Sequence, residues 1–87
     1  MSRHEPKSTV CEIRKTGGGW TAMTVEDALG QRKTEKRCVE CHGAVRAHKA
    51  GPDGVPAAHF EHRMKHEGCS LGHAFDGRRR PHPAALA

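Results

Sequence analysis

The chain has 87 residues, 34% hydrophobic and 3% aromatic, with a formal net charge of +5 when histidine is neutral. Such a chain forms one domain at most, and its few large apolar side chains bury too little surface to offset the entropy lost on folding. It contains no apolar run near the roughly 18 residues that span a bilayer and no apolar signal-peptide segment, so we expect a cytoplasmic protein without membrane contact.

The N-terminal third predicts a short β-hairpin. Residues 1–8 are polar and show no hydrophobic period, so we expect them to be disordered. Residues 9–15 and 20–23 have the composition of two short strands, and the glycines at 17–19 between them favour a turn. This hairpin is expected to place Trp20 over the domain as part of the core, together with Phe60 and Phe75.

A short helix is predicted after the hairpin. Thr24 can accept a hydrogen bond from the amide of Asp27, which is typical of a capping box, and Val25, Ala28 and Leu29 then fall on one helical face. We expect Gly30 to end this helix in a left-handed conformation. Residues 31–36 form a charged connector.

The second half predicts a ribbon-like hairpin. Residues 44–49 and 55–60 read as two strands joined by a tight turn at 51–54. Residues 61–67 are polar with helical spacing and predict a second short helix. The prolines and arginines from 77–87 indicate a flexible basic tail with nothing to pack against, which leaves 9–76 as a single domain.

Two cysteines three positions apart, Cys38 and Cys41, are the sharpest motif in the chain. This spacing on a tight turn directs both thiols to one point, as in half of a tetrahedral zinc site. The remaining ligands are expected at the far end of the hairpin, where we favour His62 and Cys69, with His59 as the alternative fourth ligand. We therefore predict a small, zinc-stabilised α+β fold that holds one Zn²⁺ per chain.

Other interpretations of the cysteines remain open at this point. His59 and His62 together would give a Cys2His2 site, and Cys11, expected as a half-buried thiol of the first strand, could replace Cys69. A redox pair normally precedes a helix in a βαβ unit, which the sequence does not predict. The run Cys38-x-x-Cys41-His42 is also the attachment motif of c-type haem, but covalent haem attachment requires export. His42 is alternatively a hydrogen-bonding neighbour of the metal ligands.

Three segments carry a resemblance to known proteins: RCVECHGAVRAHK at 37–49, AHFEH at 58–62 and GCSL at 68–71. Together they resemble small uncharacterised bacterial zinc-ribbon proteins and the N-terminal zinc module of competence protein CoiA-like proteins. The likeness spans about 34 of the 87 residues. It implies a zinc ribbon associated with DNA handling, without the nuclease domain that follows the module in the larger proteins.

The predicted function is therefore a non-catalytic zinc-binding module that contacts nucleic acid through a basic face. The alternative is a protein-interaction adaptor in which zinc only holds the fold. A metal-dependent hydrolase using His59, Glu61 or His62 is disfavoured, since four protein ligands close the coordination shell of zinc. The candidate nucleic-acid contacts are Arg46, Lys49, Arg63, Lys65, Arg78, Arg79 and Arg80.

Overall fold

The computed structural model describes residues 8–72 and 74–87, which form a small α+β fold of antiparallel strands and one short helix. The predicted disorder of residues 1–8 concerns a segment that, except for Ser8, lies outside the described residues. Ser8 itself is buried, and its carbonyl accepts a 2.8 Å hydrogen bond from the amide of Phe60. The first described residue is therefore already attached to the domain.

Strands β1 (Val10–Arg14), β2 (Trp20–Thr24) and β3 (Lys36–Cys38) form an antiparallel sheet in the order β2-β1-β3. The β1–β2 hairpin agrees with the prediction, and its loop contains three consecutive glycines with φ between 82° and 106°, a conformation that strongly favours glycine. Strand β3 was not predicted, because its charged residues resemble a connector. The aliphatic stem of Lys36 is buried there, and its ammonium group donates to the carbonyls of Gln31 and Thr34.

Helix α1 (Val25–Ala28) begins where the capping box predicts. Thr24 Oγ1 accepts from the amide of Asp27 at 3.4 Å, and both Val25 and Ala28 are fully buried. The predicted left-handed cap is wrong: the helix ends at Leu29 in a right-handed conformation, and Gly30 has no positive φ. Among the described residues, no helix has the length and apolar character needed to cross a membrane.

Strands β4 (Val45–His48) and β5 (His59–His62) form a separate antiparallel pair, in which Val45 lies opposite His62 and Ala47 opposite Phe60. The returning strand is thus shifted toward the C-terminus relative to the prediction of 55–60. The predicted helix over 61–67 is wrong, because Glu61 and His62 pair with β4 and the chain then bends without helical structure. Strand alternation, which turns Phe60 and His62 inward, outweighs the helical spacing of the polar residues.

The buried core is small and sulfur-rich. Phe60 is its largest side chain, and all four cysteines belong to it, including Cys11, which is fully buried rather than half-buried. Trp20 was predicted in the core but lies half-exposed on the edge strand, where the guanidinium groups of Arg14 and Arg37 contact its ring at 4.4 and 4.3 Å from the centroid. Phe75 is likewise half-buried and outside the core cluster.

The C-terminal segment packs against the domain, contrary to the expectation that it has nothing to contact. The amide of Arg80 donates to Gly68 O at 2.8 Å, and that of His82 donates to Cys41 O at 3.0 Å. Farther along, the amide of Leu86 donates to His42 O at 2.8 Å. His82 is only 4% exposed, so this polar histidine acts as an anchor that the composition of the tail did not reveal.

Candidate metal centre

The Cys38–Gly43 segment forms a tight turn that directs two thiols inward. The amide of Cys38 donates to Gly43 O at 2.8 Å, which closes the turn, and His42 adopts a left-handed conformation with φ of 64°. Two further amides point at the sulfur atoms: Glu40 N lies 3.4 Å from Cys38 Sγ, and Gly43 N lies 3.4 Å from Cys41 Sγ. These N–H···S contacts favour sulfur in its negatively charged form.

His62 and Cys69 meet these thiols from two other segments. His62 ends β5, and its Nε2 atom lies 3.3 Å from Cys41 Sγ, while Cys69 follows a loop and its Sγ lies 3.5 Å from Cys38 Sγ. The four ligand atoms all lie within 4.8 Å of one another. A tetrahedral ion with Zn–S bonds of about 2.3 Å separates its sulfur ligands by about 3.8 Å, so the cluster has the dimensions of one four-coordinate site.

Burial and local hydrogen bonds shift the pKa values of the three thiols in different directions. Burial opposes ionisation of Cys38, but hydrogen bonds from His62 and from backbone amides outweigh it and lower the pKa to about 7. Burial raises the pKa of Cys41 and, more strongly, of Cys69, and the adjacent Cys38 sulfur adds to both shifts. Three thiols at such short range cannot all ionise without a cation between them.

Glu40 links the two cysteine-containing segments, a role that sequence reasoning missed. Its carboxylate accepts from the amide of Ser70 at 2.7 Å and from Ser70 Oγ at 2.6 Å. Burial alone would raise the pKa of Glu40, but these hydrogen bonds and the charge of Arg79 lower it below its usual value. The Glu40 carboxylate therefore holds Ser70, the residue after Cys69, against the turn at 38–43. A contact between positions 30 residues apart cannot be predicted from a local sequence pattern.

A second unpredicted feature is the packing of His82 against the His62 ring. The ring of His82 stacks on that of His62, with centroids 6.4 Å apart and planes 4° apart. His82 Nδ1 accepts from the amide of Ala84 at 2.9 Å, so its Nε2 carries the proton and donates to Met64 O at 3.1 Å. His82 belongs to the tail that was expected to have nothing to pack against, yet both of its ring nitrogens make hydrogen bonds that hold the C-terminal segment.

The structure places the other candidate ligands outside this cluster. His59 directs Nδ1 toward Ala57 O at 2.7 Å and Nε2 toward a Glu61 carboxylate oxygen at 2.8 Å. Burial alone would lower the pKa of His59, but these two contacts raise it above its usual value. His42 Nε2 faces Glu12 at 4.0 Å rather than a cysteine. Cys11 lies opposite Cys38 in the β1–β3 register but does not join the four.

Four of the predicted nucleic-acid contacts surround the β4–β5 hairpin. Arg46, Lys49, Arg63 and Lys65 are all exposed. Arg63 and Lys65 line one groove of about 660 Å³, with His62 among its other walls. Arg63 and Lys65 therefore place two cations beside the cysteine–histidine cluster.

The C-terminal arginines are engaged differently. Arg80 makes two contacts with the Asp76 carboxylate at 3.0 and 3.3 Å, and Arg79 lies 3.8 Å from Glu40. Arg78 is exposed, and its amide donates to Asp76 at 2.9 Å. Two of the three guanidinium groups therefore already face carboxylates of this chain.

Comparison with known proteins places the chain in a family without adding a function. A family model matches residues 2–87. A protein of Azorhizobium caulinodans, named "Uncharacterized protein", is 52% identical over 89 residues that cover 99% of both chains. No solved structure matches the chain. Neither match adds support for the likeness to CoiA-like proteins.

Proposed function

The chain belongs to the same family of small bacterial proteins as its Azorhizobium caulinodans relative, and we propose that it is a non-catalytic module built on one structural zinc ion. The ligands in this proposal are Cys38, Cys41, His62 and Cys69. The observation that carries it is the convergence of these four side chains, from three separate segments, to within 4.8 Å.

The chemistry of the donors favours zinc over other divalent ions. Three sulfurs and one imidazole nitrogen are soft or borderline ligands, which suit zinc far better than the oxygen-preferring magnesium or calcium. The turn at 38–43 supplies two of the proposed ligands, the end of β5 supplies His62, and the loop after β5 supplies Cys69. The resemblance of residues 37–49, 58–62 and 68–71 to bacterial zinc-ribbon proteins also supports the proposal.

The same geometry argues against catalysis and covalent haem attachment. Four protein ligands leave no open coordination position for a water or substrate, which a catalytic zinc requires. Cys38 and Cys41 are only 1% and 2% exposed and face Cys69 and His62, so a haem edge cannot approach their sulfurs. We therefore assign the centre a structural role.

Metal content and cobalt substitution test the zinc centre. Purified protein should contain one tightly held zinc ion, and Co²⁺ in its place should show sulfur-to-cobalt charge-transfer absorption with a tetrahedral visible spectrum. Cys41→Ser should lose the tight ion and unfold residues 37–71, because zinc supplies about 10 kcal/mol or more of folding free energy in small zinc domains. A Cys41→Ser protein that stays folded with its metal would contradict the assignment.

We further propose that the cations around the β4–β5 hairpin bind the phosphate backbone of nucleic acid. Arg46, Arg63 and Lys65 are exposed on the hairpin or in the groove beside His62, and contacts of this kind are independent of sequence and weaken steeply with salt. The competing function is a protein-interaction adaptor. It is favoured by the ion pairs that already engage Arg79 and Arg80.

Salt-dependent binding to generic duplex and single-stranded DNA separates these two functions. Neutralising Arg63 and Lys65 with glutamine should weaken binding at low salt and reduce the slope of log K against log salt by about one to two units. Arg80→Gln serves as the matched control, since its charge is paired with Asp76, and should change the slope less. Absence of DNA binding at low salt would contradict the nucleic-acid proposal and favour the protein-interaction adaptor.

A further inference from the structure

The outer face of the β4–β5 hairpin carries a second group of metal-binding side chains. Strand register places His48 opposite His59 and Arg46 opposite Glu61, on the face turned away from Phe60 and the cysteine cluster. His48 Nε2 lies 3.4 Å from Glu61 Oε1, and His59 Nε2 lies 2.8 Å from Glu61 Oε2. One carboxylate thus faces the Nε2 atoms of two imidazoles.

We propose that His48, His59 and Glu61 form a second, exchangeable site for a divalent transition-metal ion such as zinc. This site is separate from the structural centre and goes beyond the proposed function. Two histidines and one carboxylate are a common ligand set for such ions, and coordination positions facing solvent remain for water.

Each imidazole taken separately lies at a suitable distance from the Glu61 carboxylate. An ion with bonds of about 2.1 Å to nitrogen and oxygen separates its ligand atoms by about 2.9 Å at right angles and about 3.4 Å at the tetrahedral angle. His59 Nε2 lies 2.8 Å from Glu61 Oε2 and His48 Nε2 lies 3.4 Å from Glu61 Oε1, so each imidazole is within ligand-pair distance of a different oxygen of the carboxylate. The side chains of His48 and Glu61 are 30% and 39% exposed, so an ion reaches them from solvent.

The backbone orients one of the imidazoles for coordination. His59 Nδ1 lies 2.7 Å from Ala57 O, which accepts its proton and leaves Nε2 directed at Glu61. A histidine ligand typically donates its second ring nitrogen to a carbonyl or carboxylate in this way. His59 is also the most buried of the three side chains, at 14% exposure, so its position is the best fixed.

His48 is the adjustable member of the group. Its ring stacks on that of His59, with centroids 5.4 Å apart and planes 10° apart, so both Nε2 atoms reach one ion only when His48 rotates. Arg46 Nε donates to His48 Nε2 at 3.3 Å, which identifies this nitrogen as an electron-pair donor. Rotation of His48 and displacement of Arg46 both cost free energy, so we expect micromolar affinity, far weaker than that of the thiolate centre.

Calorimetric titration of Zn²⁺ into dialysed protein that already holds its one tight zinc tests this site. The wild type should bind one further ion, with the proton displaced from His59 Nε2 released to buffer. His59→Gln and Glu61→Gln should each weaken this event at least tenfold while retaining the tight zinc. The control is His42→Asn, which removes another partly exposed imidazole. Asparagine tolerates the positive φ at this position, so the variant should bind the second ion normally.

Histidine ¹⁵N NMR of the wild-type protein provides a test that needs no variant. Added zinc should shift the side-chain nitrogens of His48 and His59 together and saturate at one equivalent. The proposal would be overturned if no second binding event occurred, if the shifts were confined to other histidines, or if His59→Gln still bound a second ion. Because the tight zinc is counted before titration, failure of this site is distinguishable from failure of the structural centre.

Discussion

Removing the Glu40 carboxylate should weaken the proposed zinc centre although Glu40 is not one of the proposed ligands. The carboxylate accepts two short hydrogen bonds from Ser70, at 2.7 and 2.6 Å, and so ties the segment of Cys69 to the turn of Cys38 and Cys41. In Glu40→Ala this connection is lost while all four ligands remain. The variant therefore tests whether ligand convergence depends on a contact outside the cluster.

The magnitude follows from the two hydrogen bonds. Hydrogen bonds to charged groups contribute about 1.5–3 kcal/mol each in net terms, and the 23% exposure of the Glu40 side chain favours the lower end. Its 3.8 Å contact with the largely exposed Arg79 adds little. We expect Glu40→Ala to lower the free energy of unfolding of the zinc-loaded protein by about 2–3 kcal/mol and its zinc affinity by about 10–100-fold.

Denaturant unfolding and competition with a chromophoric chelator measure these two quantities. Ser70→Ala removes only the hydroxyl donor and should give about half the loss, and the double variant should be no worse than Glu40→Ala alone. Val39→Ala, in the same turn but 39% exposed, is the control and should change stability by less than about 0.5 kcal/mol. An effect of Glu40→Ala as small as that of the control would refute the reasoning.

Three further predictions concern packing, backbone conformation and pH. Gly43→Ala places a Cβ atom 2.3 Å from His82 Cδ2, so it should lower the melting temperature through a loss of about 1–3 kcal/mol; an unchanged melting temperature would contradict the packed C-terminal segment. Gly18→Ala, at φ 106°, should cost about 1–2 kcal/mol by denaturant unfolding, whereas Gly30→Ala should be neutral or stabilising; equal effects would contradict the turn geometry. The pKa of His59 is raised on folding. The charged imidazole therefore contributes fully to the free energy of unfolding below its unfolded-state pKa of about 6.5, and this contribution is lost as the pH rises through the folded-state pKa. The stability difference between wild type and His59→Gln should therefore shrink with rising pH in unfolding curves, and a difference that grows would contradict the contact.

Local features of this protein were predictable because neighbouring residues encode them directly. The spacing of Cys38 and Cys41 predicted a turn with two convergent thiols, and Thr24 predicted the start of α1, since both depend on positions at most three residues apart. The glycine run predicted the β1–β2 turn for the same reason. The choice of His62 rather than His59 stayed open, because it depends on the strand register after residue 58.

The register itself is a tertiary property. Val45 lies opposite His62 and His48 opposite His59, so the two histidines of the HFEH segment lie on opposite faces, one beside the thiols and one beside Glu61. A shift of one residue would exchange the faces. The polar spacing that predicted a helix over 61–67 carried no information about the partner strand.

By itself, the sequence predicted that 87 residues with three aromatic side chains need stabilisation beyond an apolar core, and it singled out the cysteine and histidine side chains as candidates to provide it. Only the tertiary structure decided what holds those side chains in place, namely the Glu40–Ser70 contact and the stacking of His82 on His62. It also placed Trp20 against two arginines instead of in the core. These contacts join residues far apart in the chain. Their formation depends on the combined packing and hydrogen bonding of the whole domain, which no short stretch of sequence specifies.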